Sequence, residues 1–92
     1  MKIRWTQGAL FNLEQAAAYI AQDNPQAAAA IVTAIWKTVQ TLRTFPMMGK
    51  PWRLPDVYSV GVARTPYSIR YRLTEEGVEI IRVHHNCRRW ES

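Results

Sequence analysis

Ninety-two residues make one small domain, and a chain of this size buries only about 60–65% of the surface its unfolded form exposes. A composition of 48% hydrophobic and 21% charged residues, with four Gly and five Pro, excludes disordered and collagen-like chains, and the lone Cys87 excludes an internal disulfide framework or a multi-cysteine zinc site. Twelve Lys and Arg against seven Asp and Glu leave a net charge of +5, which points to an anionic partner such as nucleic acid, an acidic protein or a membrane surface.

The chain opens Met1-Lys2-Ile3-Arg4-Trp5 and then turns polar, so no signal-peptide core is expected and no apolar run is long enough to span a membrane. A single cytoplasmic domain over residues 1–92 is the expectation. Lys2 to Trp5 reads as a short first strand. Leu10, Leu13, Ala17 and Ile20 then fall on one face of a helix expected from about residue 8 to 22, kept slim by Ala9, Ala16 and Ala18. Asp23-Asn24-Pro25 stops it and starts the next, with Asn24 suited to the N-cap and Pro25 to the first helical position. The second helix carries the stripe Ile31, Ile35, Val39 and Leu42, and should end near Thr44 because Pro46 disfavours helical geometry before it. Together they form a helical hairpin whose apolar stripes need a further surface to cover.

The second half supplies that surface. Pro51 and Pro55 are expected to keep the segment to about residue 56 irregular. From Val57 the period becomes two, with a strand over Val57 to Ala63. Next, Tyr67, Ile69, Tyr71 and Leu73 alternate with Ser68, Arg70, Arg72 and Thr74, the pattern of a strand with one buried and one wet face. Glu75-Glu76-Gly77 reads as a tight turn, with Gly77 free to take a positive φ, and Val78 to His85 as the returning strand. The expected fold is therefore α+β, in the order β-α-α-β-β-β, with the helical hairpin on one face of a small antiparallel-rich sheet. No repeat, low-complexity tract or linker interrupts it.

The basic residues differ in kind between the halves. The first 49 residues hold Lys2, Arg4, Lys37 and Arg43, whereas the remainder holds seven arginines and one lysine. Arginine presents a rigid fork of donors that matches phosphate and carboxylate. Arg70 and Arg72 share the wet face of their strand; Arg82 and His84 join them if the register of the hairpin allows, with Arg88 and Arg89 just past the strand end. Such a face suits a phosphate backbone, and a solvated sheet face is the plainer alternative. His84 and His85, as strand neighbours, point to opposite sides and cannot share a metal, though either could move a proton near neutral pH. Cys87, without an evident base beside it, reads as structural. Trp36, Trp52 and Trp90 could act as stacking platforms, with packing the plainer reading for Trp36. The sequence lacks a Gly-rich phosphate loop, a Walker signature and a Gly-x-Ser-x-Gly elbow, so no cofactor and no metal are expected.

Several runs resemble, in order, the RelE/ParE superfamily of bacterial type II toxins. They are Tyr19-Ile20-Ala21 with Asn24-Pro25 and Ala27-Ala28, then Leu42 with Phe45-Pro46, Met48-Gly49-Lys50, Pro66-Tyr67-Ser68-Ile69 and Tyr71-Arg72. Val78-Glu79-Ile80-Ile81-Arg82-Val83-His84-His85 and Arg88-Arg89-Trp90 complete the set. The resemblance covers nearly the whole chain and implies a β-α-α-β-β-β toxin that inhibits growth. It also implies a cognate antitoxin that wraps an acidic amphipathic segment around the toxin, and contact with operator DNA only through that antitoxin.

Members of the superfamily differ in target. RelE-like members cut mRNA in the ribosome, and for that role the resemblance offers Arg88, Arg82 and His84 as catalytic groups. ParE-like members act on DNA gyrase. In either case Lys50, Arg53, Arg70, Arg72, Arg89 and Trp90 are the candidates for contacting the target. The chain departs from the RelE-like pattern in having no tyrosine after Tyr71, in Trp90 near the usual terminal catalytic group, in a lysine-poor loop, and in Tyr58 where an arginine is common. These departures favour the ParE-like, gyrase-directed branch, with the ribosome-dependent nuclease as the alternative.

Overall fold

The structure, a computed structural model, describes residues 1–86. The expectations resting on Cys87, Arg88, Arg89 and Trp90 lie outside the described residues.

Thr6 joins strand β1 (Lys2–Trp5) to helix α1 (Gln7–Ala21) and serves both. Its side-chain oxygen accepts from the Ala9 N–H at 3.1 Å, capping the helix, while its own N–H and hydroxyl donate to the Ile80 carbonyl at 3.0 Å each. Helix α2 (Pro25–Thr44) starts as its sequence demands: the Asn24 side chain accepts from the Ala27 N–H at 3.0 Å, and Pro25 occupies the first turn, where its missing N–H has no intrahelical role. Phe45 closes it ahead of Pro46.

The buried face of α1 is rotated from the expected one. Ala9 and Leu13 are buried, and Ala16 and Ile20 pack beside them, whereas Leu10 is 42% exposed. Several alanines left the face of this helix ambiguous in the sequence, and docking selected the slimmer side, which lets the backbone approach the sheet. The α2 stripe falls as expected, with Ile35, Val39 and Leu42 fully covered.

Five strands form one sheet among the described residues: β1, β2 (Lys50–Pro51), β3 (Val57–Gly61), β4 (Tyr67–Leu73) and β5 (Gly77–His85), in spatial order β1-β5-β4-β3-β2. Strand β1 runs parallel to β5, and all other pairings are antiparallel. Strand β2 corrects the expectation of an irregular segment up to residue 56. Two residues, one of them proline, carry no strand signal of their own. They are held as an edge by pairing with Ser59 and Tyr58, where a proline is tolerated.

Gly77 is required chiefly by close approach. A Cβ there would meet the Lys2 backbone oxygen at 2.1 Å and its nitrogen at 2.6 Å, so glycine is what lets β1 dock on β5. The core lies between the helices and the inner face of the sheet, where Val60, Ile69, Tyr71, Val78, Ile80 and Val83 meet Ile35, Val39 and Leu42. No described helix is long and apolar enough to cross a membrane.

Candidate functional site

The outer face of the sheet is organised in rows, because residues directly opposite on neighbouring strands share a face. One row runs Lys50, Ser59, Arg70, Arg82 across β2, β3, β4 and β5. The next runs Val57, Arg72, Glu79, Arg4 across β3, β4, β5 and β1. A third brings Gly61, Ser68 and His84 together. Arg82 and His84 thus do join Arg70 and Arg72, as the conditional register required.

A bulge makes this possible. Pairing shifts between Arg70, opposite Arg82, and Tyr71, opposite Ile80, leaving Ile81 as the extra residue. The shift lets Ile80 and Val83 both face the core although their spacing is odd, and it turns Arg82 to the same side as Glu79. The sequence does carry a signal for it, since buried positions 78 and 80 are followed by 83. His85 pairs with Tyr67 and lies against its ring edge-on, at 5.1 Å and 80°, on the opposite side from His84. Tyr58 likewise sits on the inner side, stacked on Tyr71 at 5.7 Å and 23°, so it stands apart from the basic face.

The arginines are held in different ways. Glu79, largely buried, lies 3.7 Å from Arg4 and 3.9 Å from Arg72, so much of the charge of the second row is compensated. In the first row, the Arg70 guanidinium lies 3.9 Å from the centre of the Trp52 ring, and Arg53 lies 5.4 Å from the same ring. Burial, then repulsion from Arg82 and Arg53, pull Arg70 below the ordinary arginine range. Its Nε is buried without a hydrogen-bond partner among the described residues. Arg53, Arg70 and Arg82 have no carboxylate oxygen within 4.0 Å among the described residues. Trp52, read as a platform for bases, therefore offers one ring to two arginines.

Beside this row lies a groove of about 420 Å³, walled by Phe11 of α1, Leu54, Trp52, Arg70, Arg82 and the bulged Ile81. Phe11 is 58% exposed and Leu54 51%. Sequence reasoning passed over Phe11, Ile81, Glu79 and Asn12. Asn12 accepts from the Val83 N–H at 3.2 Å, closing the edge of β5 where β1 has already ended. An asparagine on the flank of a helix offers no sign that it will cap a strand.

The loop that carries Lys50, Trp52 and Arg53 is pinned from inside. The Tyr71 hydroxyl donates to the Pro46 carbonyl at 2.7 Å and accepts from the Gly49 N–H at 2.9 Å. A Cβ at residue 49 would stand 2.7 Å from that hydroxyl and 2.8 Å from the Ser59 carbonyl oxygen, so only glycine fits. Lys50 and Arg53 themselves are exposed.

The model of the ParE toxin of type II toxin–antitoxin systems matches residues 3–90. A candidate toxin of Sinorhizobium fredii, Y4kP, is 39% identical over 89 residues, spanning 97% of this chain and 92% of that protein. Among solved structures, the chromosomal ParDE system of P. aeruginosa superposes with a TM-score of 0.80 at 25% identity, covering 92% of this chain and 95% of the other. The RelBE2 toxin–antitoxin complex of Mycobacterium tuberculosis gives 0.58 at 28% identity, over 91% and 95%. The isolated E. coli RelE toxin gives 0.71 at 17% identity, over 94% and 84%, a likeness of fold alone. With a family model spanning almost its whole length and a fold shared with both branches of the superfamily, the chain belongs to the ParE toxins of type II toxin–antitoxin systems.

Proposed function

We propose that this toxin inhibits growth by binding DNA gyrase, and that a cognate antitoxin silences it with an acidic amphipathic segment laid over the arginine face. The observation that carries the reading is the mixed character of the groove. Arg70 and Arg82 stand beside exposed Phe11 and Leu54, with Trp52 packed under Arg70. Arginine and aromatic side chains set together are the usual anchors of a protein–protein contact. The two arginines of the neighbouring row share one carboxylate, Glu79, which halves the net charge of that row. The family match supports the ParE-like branch, and the ParDE and RelBE2 structures support an antitoxin partner.

Purified toxin added to gyrase should block supercoiling and accumulate cleaved DNA complexes. Unchanged supercoiling at every toxin concentration would refute the gyrase target. One observation favours the alternative, a ribosome-dependent nuclease: Arg70, Arg82 and His84 do share a face, which could hold a scissile phosphate and move a proton. That reading requires codon-positioned cuts in a translation extract that disappear with Arg82→Ala.

A further inference from the structure

The first row of the outer face concentrates more positive charge than the fold uses. Arg70 and Arg82 stand directly opposite each other on adjacent strands, and Arg53 shares the Trp52 ring with Arg70. None of the three has a described carboxylate within 4.0 Å, and among the described residues no acidic side chain lines the adjoining groove. Gly8, in the first turn of α1, also lines the groove, and that turn contains no acidic residue. The partial positive charge of the helix start therefore adds to the Arg70 and Arg82 guanidinium groups at the groove.

Like charges held together in this way cost stability unless a ligand offsets them. A single carboxylate or a phosphodiester brings one negative charge, whereas a phosphate monoester brings close to two at neutral pH and three oxygens for forked donors. The apolar wall of Phe11 and Leu54 sets a place for an organic group next to that anion, and the groove volume of about 420 Å³ suits a molecule of mononucleotide size.

We propose that this groove is a binding site for a phosphate monoester of mononucleotide size, with the phosphate held between Arg70 and Arg82 and the organic part resting on Phe11 and Leu54. The site would serve equally whether gyrase or the ribosome is the target. Its partner is a small molecule, recognised by its double charge. Arg72 also lines the groove, 3.9 Å from Glu79.

Titration calorimetry on the full chain at pH 7.5 tests it with four probes: adenosine 5′-monophosphate, adenosine, inorganic phosphate and the phosphodiester adenylyl-adenosine. The monophosphate is expected to bind about tenfold or more tightly than each of the others, because it alone offers both the dianion and the flat apolar group. Arg70→Gln and Arg82→Gln should each weaken it by about tenfold, the loss of a charge-assisted contact. Arg43→Gln, on α2 where Arg43 meets Gln40, should leave it unchanged. Should Arg70→Gln fail to fold by circular dichroism, Arg82→Gln decides the outcome. Equal affinity for the phosphodiester, absence of monophosphate binding, or full binding by folded Arg82→Gln would each overturn the assignment.

Discussion

Tyr71→Phe removes one oxygen and leaves the ring, so it isolates what the pin beneath the Trp52 loop contributes. The hydroxyl ties β4 to Pro46 and Gly49, donating at 2.7 Å and accepting at 2.9 Å. Without it, the Pro46 carbonyl and the Gly49 N–H lose their partner beside a fully buried ring. An unsatisfied buried polar group costs about 1–3 kcal/mol; both groups here are only half-buried, so the low end applies and the pair should cost about 2 kcal/mol. For a domain of this size that is a fall of about 8–16 °C in Tm. Thermal denaturation followed by circular dichroism measures it.

The same residue sets a pH dependence. Burial pushes the Tyr71 hydroxyl above the ordinary tyrosine range and the neighbouring Tyr58 adds to this, while the hydrogen bond from Gly49 opposes it. A group that holds its proton more tightly when folded contributes stability below its unfolded value of about 10, and that contribution is lost as pH rises through the folded value. The wild-type chain should therefore lose stability above about pH 10 more steeply than Tyr71→Phe. A Tm loss below about 3 °C in the variant, with an unchanged alkaline slope, would refute the pin, since water would then be replacing the hydroxyl.

Gly77→Ala places a Cβ 2.1 Å from the Lys2 carbonyl oxygen and should detach β1 from β5. A loss of several kcal/mol is expected, with the amides of residues 2–5 losing hydrogen-exchange protection first. Asn12→Ala strips the Val83 N–H of its acceptor and should cost about 1–2 kcal/mol in urea unfolding, whereas Asn12→Asp, which keeps an acceptor oxygen, should cost less. Glu79→Gln dissolves two ion pairs, but the Arg4 and Arg72 side chains are 79% and 46% exposed. Stability in urea should therefore change by no more than about 1 kcal/mol.

The helical hairpin was legible almost to the residue because its punctuation is local: Asn24 caps, Pro25 opens, and Pro46 follows the last turn. The alternation of Tyr67 to Leu73 similarly declared a strand with its arginines on the wet side. What stayed hidden depends on partners distant in the chain. Strand β2 exists only because Ser59 and Tyr58 lie beside it, and Asn12 acquires its role only when α1 reaches the end of β1. The site shows the same division. That Arg70 and Arg72 share a face follows from a period of two, but their different states do not. Arg72 is compensated by Glu79 and Arg70 is stacked on Trp52 because of register and of a loop pinned from the core.

The parallel pairing of Lys2–Trp5 with Gly77–Ile80 has a consequence for synthesis of the toxin. Strand β1 can be completed only by β5, so the edge of the sheet and the start of α1, tied through Thr6 to Ile80, wait until residues 77–85 have left the ribosome. At about 5–20 residues per second the interval is several seconds. Throughout it, Arg82 and the bulged Ile81 are missing from the outer face, so the nascent chain has no groove. The groove is therefore assembled in one step, when β5 docks beside β4 and β1.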